Sequence, residues 1–163
     1  MVYLWAVLHD RPVSWACKPK NWPNDMQPKE LPSQSTMSRR LQTTEVQVVL
    51  ATMERRLAPP HNLIRVIDGK PLVVGTHSKD SEATWGRAGR GFAKGYKLHA
   101  VYGSSVLPET WAVASLNVSE QEVGARLISL LKRVEYILGD KAFDSNPLHD
   151  LAHSVGCQLV AER

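Results

Sequence analysis

Two apolar runs, Leu63-Ile64-Arg65-Val66-Ile67-Asp68-Gly69 and Tyr136-Ile137-Leu138-Gly139-Asp140-Lys141, each end on an aspartate. Both read as buried strands that deliver a carboxylate, and Gly69 and Gly139 supply backbone freedom where such a strand turns. The chain between them is long enough for a crossover that returns Asp140 beside Asp68 on a parallel strand. Two acids held side by side suit divalent cations. Taken alone, Asp68-Gly69 is an ordinary turn signal, and the second strand-ending aspartate is what favours a paired site. Asp144 and Asp150 follow in turn and helix contexts and read as solvated or locally hydrogen-bonded groups.

The elements that must position these acids follow from periodicity. Leu63 to Asp68 makes a strand, with Pro71 to Val74 as its continuation or hairpin partner. Gly95 to Gly103 alternates polar with apolar residues as a half-buried strand does, and Leu107 to Leu116 supplies its antiparallel neighbour. Ser119-Glu120-Gln121-Glu122 has capping-box spacing, and Val123, Leu127, Leu130, Leu131 and Val134 mark the helix behind it. After the Asp140 strand, Asn146 and Pro147 fit the start of a helix that buries Leu148, Leu151, Ala152 and Val155, and Gly156 fits its end. Cys157 to Ala161 is a last strand. The predicted order is strand, strand, strand, helix, strand, helix, strand.

The first half reads differently. Val2 to Leu8 is too short to span a membrane, lacks a basic leader and reads as a core helix. Pro12, Pro19, Pro23, Pro28 and Pro32 break the next stretch into turns that Trp5, Trp15 and Trp22 can anchor. Ser33 to Leu41 is a short helix with Met37 and Leu41 inward and a polar, basic outer side of Gln34, Ser35, Ser38, Arg39 and Arg40. A second helix follows, with Thr44 and Gln47 in capping-box spacing and a structural stripe of Val46, Val49, Leu50, Met53 and Leu57. Ala58-Pro59-Pro60-His61 joins the halves.

At 163 residues and 43% hydrophobic content the chain can bury one fair core, or a small one plus a helical appendage, and one catalytic-sized domain is the expectation. The net charge of +4 is mild. Its distribution says more, because Gly86 to Lys97 carries Arg87, Arg90, Lys94 and Lys97 against no acid. That segment reads either as a mobile surface loop or as a flexible phosphate-contacting loop. Its glycines precede a strand instead of following one, which argues against a nucleotide-binding turn. Cys17 and Cys157 have neither metal nor disulfide spacing and suit a reducing interior. His149 and His153 stand four apart, but no third ligand accompanies them.

These residues and their order resemble the DDE-type insertion-sequence transposases, whose catalytic core has the ribonuclease-H-like fold. Ile67-Asp68-Gly69 is similar to that family's first acidic motif. Leu138-Gly139-Asp140-Lys141-Ala142-Phe143-Asp144-Ser145 is similar to its second. Pro32 to Leu41 resembles the small helical region ahead of the core, so the resemblance covers residues 31 to 163. It implies an α/β fold: a ribonuclease-H-like mixed sheet with flanking helices over 61–163, preceded by a helix-turn-helix-like DNA-binding region over 1–58.

The resemblance also implies a chemistry, cleavage and joining of DNA at insertion-sequence ends by two magnesium or manganese ions. Such ions stand about 3.5–4 Å apart and act on both the attacking and the leaving oxygen. Asp68 and Asp140 would be the catalytic acids and metal ligands. The partner would be double-stranded DNA, both transposon ends and target, with self-association on DNA, no membrane, and a bacterial-type cytoplasmic, nucleoid-associated setting. Gln34, Ser35, Ser38, Arg39 and Arg40 would meet phosphates and base edges, while Arg87, Arg90, Lys94 and Lys97 would meet phosphates. One departure stands out. The family's third carboxylate is a glutamate on a helix after the last core strand, whereas Glu162 follows the Cys157 to Ala161 strand directly. The expectation is a transposase truncated before that acid, weak in metal binding and poor in cleavage. The alternative is a noncatalytic DNA-binding remnant; a phosphatase with a nucleophilic Asp68 fits less well, since no acid lies two positions on.

Overall fold

The computed structural model describes residues 1–57, 62–105, 107–132 and 135–162. The Ala58-Pro59-Pro60-His61 joint and Val134 of the expected helix stripe lie outside the described residues. The chain divides into two compact units, Met1–Arg56 and Leu57–Arg163.

The first unit is helical: α1 (Val2–Leu8), α2 (Val13–Ala16), a 3-10 turn at Pro19–Asn21, α3 (Gln34–Leu41) and α4 (Thr44–Leu57). Its core joins Val2, Ala6, Ala16, Trp22 and Met37. Trp5 stacks on Trp22 with ring centroids 4.8 Å apart. Their indole N–H groups donate to the carbonyls of Asn21 and Ala16, so the aromatic anchors leave no polar atom stranded. Ser33 caps α3 by accepting the Thr36 amide on its Oγ. The box expected at the start of α4 does not form. Thr44 lies inside the helix and the Gln47 side chain donates back to the Leu41 carbonyl. None of α4 is buried. Val46, Val49, Leu50 and Met53 instead line an open groove of about 430 Å³ with residues of α1 and α3. Those helices, of seven and eight residues, are too short to cover the whole stripe.

The second unit is built on one six-stranded sheet. Its elements are β1 (Ile64–Val73), β2 (Thr84–Ala88), β3 (Gly91–Tyr102), β4 (Thr110–Ser115), α5 (Glu120–Ser129), β5 (Tyr136–Gly139), α6 (Asn146–Ser154) and β6 (Gln158–Ala161). The strands lie in the order β2-β3-β1-β5-β6, with β4 also on β3. β3 is antiparallel to β1, β2 and β4, while β5 is parallel to β1 and β6 parallel to β5. Since β2 covers residues 91–95 of β3 and β4 covers 96–101, the two share the edge of β3 opposite β1 in succession.

Both long helices of this unit lie on one face of the sheet. Val123, Leu127 and Ile128 of α5 and Leu148 and Ala152 of α6 pack on Ile67, Val101, Ala114, Ile137 and Leu159. The opposite face carries Ile64, Val66, Trp111, Val113, Tyr136, Leu138 and Val160, all exposed. The two acid-bearing runs are therefore buried on one side only. Strand alternation explains the difference, because it turns Arg65 and Ile67 toward the helices and Ile64 and Val66 away.

Other expectations shift in detail. β1 is one ten-residue strand that runs through Asp68 instead of ending there. The glycine-rich cationic segment is a hairpin, not a loop: β2 pairs with β3 around Gly89 and Arg90, and Gly89 has the positive φ that two-residue hairpin turns require. This adds a strand ahead of β3. Ser119 precedes α5 without a side-chain cap bond, and Ser145, not Asn146, stands at the N-cap of α6. Gly156 closes α6 at φ 81, as expected.

Candidate functional site

Asp68 and Asp140 come from strands that are direct neighbours. β1 and β5 pair in parallel with Ile64 opposite Tyr136, Arg65 opposite Ile137 and Val66 opposite Leu138. Carried two residues further, this register sets Asp68 level with Asp140. Paired residues of adjacent strands face the same way, so both acids stand on the sheet face that the helices leave open. Neighbouring strands run about 4.8 Å apart, which is within the reach of two carboxylates sharing a cation.

Local structure holds each acid. Asp68 Oδ1 accepts the Gly69 amide at 2.7 Å. Asp140 Oδ1 accepts the Ala142 amide at 3.0 Å and so caps the short 3-10 turn Lys141–Phe143. Neither neighbouring glycine has positive φ, so their role is not to turn the chain. They make room. A Cβ at Gly69 would crowd Lys97 Cδ and His99 Nδ1, and one at Gly139 would lie 3.2 Å from Ile67 Cγ2 and Phe143 Cβ. Both side chains are exposed, and among the described residues no cluster of three His, Cys, Asp or Glu side chains could hold a metal ion. The donor set is thus a pair of hard oxygen ligands, suited to a cation that keeps water or substrate oxygens in its remaining positions.

On the helix side of the sheet, three residues before Asp68, lies a buried charged pair that sequence reasoning missed. Arg65 is fully buried and donates from Nε to Glu109 Oε2 at 2.6 Å and from Nη2 to Glu109 Oε1 at 3.0 Å. Nη2 also reaches the Lys132 carbonyl at 3.2 Å. Only one signal pointed to it, a single cation at an inward position of an apolar run. Lys97, expected on DNA, is ion-paired with Glu120 at the start of α5.

His99 faces the same helix and is fully buried, with neither ring nitrogen hydrogen-bonded. Burial depresses its pKa below the ordinary 6.5, assisted by Lys97 and Arg126 and opposed by Glu120 and Asp68. The unfolded chain therefore binds this proton more readily than the folded one. Stability is unaffected above pH 6.5 and falls as pH drops from there through the depressed folded value. Urea unfolding midpoints should thus decline between pH 7 and 5 in the parent and decline less in His99→Leu. Equal declines would acquit His99.

The remaining sequence candidates each lie within their own unit. Gln34, Ser35, Ser38, Arg39 and Arg40 are all exposed on α3, in the first unit. Arg87 and Arg90 are exposed on the β2–β3 hairpin, while Lys94 donates to the Ser78 carbonyl at 2.8 Å. Tyr96 donates to Asp80 Oδ2 at 2.6 Å, which holds the Asp80 carboxyl below its usual range and pushes the phenol up to about 12. His149 pairs with Asp144 at 2.9 Å and lines a groove with His153 and Glu135. Cys17 and Cys157 are free, and burial pushes both thiols up, so neither is primed as a nucleophile.

A mixed sheet with a long antiparallel β1–β3 pair, parallel strands β5 and β6 added through helices, and one acid on β1 with the other just past the end of β5 defines a ribonuclease-H-like fold of the transposase type. The family model described as "Transposase DDE domain" matches residues 59–161, and the chain belongs to that family. No curated protein matches it. Among solved structures, the piggyBac transposase synaptic complex with hairpin DNA has a similar fold, with a TM-score of 0.51 at 14% identity over 80% of this chain. The chain spans 30% of that transposase. A simian T-cell lymphotropic virus intasome structure is matched at 14% identity over 76% of this chain and 45% of the other, with a TM-score of 0.37. No helix among the described residues is long and apolar enough to cross a membrane.

Proposed function

We propose that the second unit is the catalytic part of a DNA transposase, that Asp68 and Asp140 are its metal ligands, and that the helical first unit contacts DNA through α3. The observation that carries this reading is the parallel register of β1 and β5, which runs to Val66 and Leu138 and, extended two residues, brings Asp68 level with Asp140 in a transposase-family domain. The substrate would be double-stranded DNA at insertion-sequence ends. Water or a 3′ hydroxyl would attack phosphorus in line with the leaving oxygen. Magnesium or manganese, when bound, would neutralise charge on the entering and leaving oxygens. Asp68 and Asp140 would orient such cations, each carboxylate already fixed by a backbone amide. The exposed cations of α3 and of the hairpin would bind phosphates, with little sequence discrimination.

A first measurement is the thermal unfolding midpoint of the full chain against Mn²⁺. Ligand at ten times its dissociation constant adds about 1.4 kcal/mol to the folded state. Asp68→Ala and Asp140→Ala should each remove that increment, read against each variant's own metal-free midpoint because Asp140→Ala also loses the cap on Lys141–Phe143. Undiminished metal stabilisation in both variants would refute the assignment. A second reading, a noncatalytic DNA-binding remnant, needs only the exposed cations of α3 and of the hairpin, without the acid pair. Plasmid nicking separates the two. Mn²⁺-dependent nicking that is lost in Asp68→Ala supports the enzyme, and DNA binding without nicking supports the remnant.

A further inference from the structure

The outer face of the β2–β3 hairpin alternates aromatic with cationic side chains. Trp85 pairs with Lys94 and Arg87 with Phe92, so all four project from one side. The opposite side is Gly86, Ala88, Gly91 and Ala93, small enough for the hairpin root to lie against Leu116, which a Cβ on Gly86 would overlap. The outer face is left uncovered. Trp85 is 54% exposed and Phe92 73%, values at odds with a role in packing. Arg87 and Arg90 have no ion-pair or hydrogen-bond partner among the described residues, and Lys94 is tied to the Ser78 carbonyl.

We propose that this hairpin is a stacking platform for unpaired DNA bases, with Trp85 and Phe92 against base faces and Arg87 and Arg90 on the flanking phosphates. The charge pattern excludes a basic partner and favours a polyanion, since Arg87 and Arg90 are exposed and Gly86 to Lys97 contains no acid. Flat aromatic faces between those cations distinguish an unstacked strand from duplex. Duplex offers phosphates at its surface but keeps its base faces stacked inside, whereas an unpaired strand offers both. The ordered, two-stranded backbone supplies a fixed spacing for that purpose. This inference rests on the DNA-transposase reading and adds a strand-separated substrate to it.

The test uses the full chain with two fluorescent probes, a 30-base duplex and the same duplex carrying a central five-base single-stranded gap. Trp85→Ala and Phe92→Ala should each weaken gapped-DNA binding about tenfold and duplex binding less than twofold. Trp85→Phe should restore most of the loss. Arg87→Ala/Arg90→Ala should weaken both probes and lower the salt slope by about two. Equal losses on the two probes, or none, in the aromatic variants would overturn the platform while sparing the DNA reading. A parent chain that binds neither probe would overturn both. A drop in sedimentation mass on aromatic truncation, with gapped-DNA affinity unchanged, would reassign the face to contact between copies of the chain and also overturn the platform.

Discussion

Glu109→Ala is expected to destabilise the second unit by about 3–5 kcal/mol, because it leaves the buried Arg65 guanidinium without its counter-charge. Arg65 has no exposed side-chain surface and Glu109 only 12%, so water cannot replace the lost carboxylate without opening the sheet. The two bonds to Glu109 are parallel and charge-assisted, and a link such as that to the Lys132 carbonyl cannot neutralise a full charge. Arg65→Met should cost less than Glu109→Ala, since it removes the charge that needs compensation, and Arg65→Met/Glu109→Ala should recover part of the single-variant loss. Denaturant unfolding of the four proteins measures this directly. A Glu109→Ala protein within 1 kcal/mol of the parent would show that the pair is not what keeps the cation in place.

Gly86→Ala should also be costly, although it adds a single methyl group. The new Cβ would overlap the Leu116 backbone carbonyl, which has no side-chain freedom with which to yield. Overpacking of this kind costs about 1–3 kcal/mol, and here the relief available is for β2 to lift from the sheet. Gly91→Ala, at the first residue of β3 after the hairpin turn, meets open space at a permitted φ and should stay within about 0.5 kcal/mol of the parent. If the two variants unfold at the same urea concentration, the root of the hairpin is not held as tightly as its geometry indicates.

Much of the second unit was legible because its signals are periodic. The Asp140 strand beside the Asp68 strand follows from the crossover rule, and β5, α6 and β6 follow from apolar spacing and from Gly156. What escaped were features fixed by partners distant in sequence. Arg65 reads as a blemish in an apolar run until Glu109 is placed beneath it. Gly69 reads as a turn residue, whereas its lack of a side chain serves the crowded Lys97 and His99 across the ladder. Gly86, Gly89, Gly91 and Gly95 read as a mobile tract, yet only Gly89 has a positive φ, and Gly86 and Gly95 are there for close backbone approach. In α4 the stripe was right in period and wrong in consequence, because periodicity reports which face is apolar and not whether anything covers it.

Asp68 sits where the sheet forks. On one side it is still laddered to Ala100 of β3, while its last register partner toward β5 lies two residues back, at Val66 and Leu138. Asp140 has by then left its strand and begun a turn. One acid is therefore carried by the ladder itself and the other by the turn that follows its strand, held there through the Ala142 amide. A substitution at exposed Lys141 would bear on the Asp140 carboxylate, whereas one at Phe143, fully buried in the core with Ile67 and Ile137, would unsettle the strands as well.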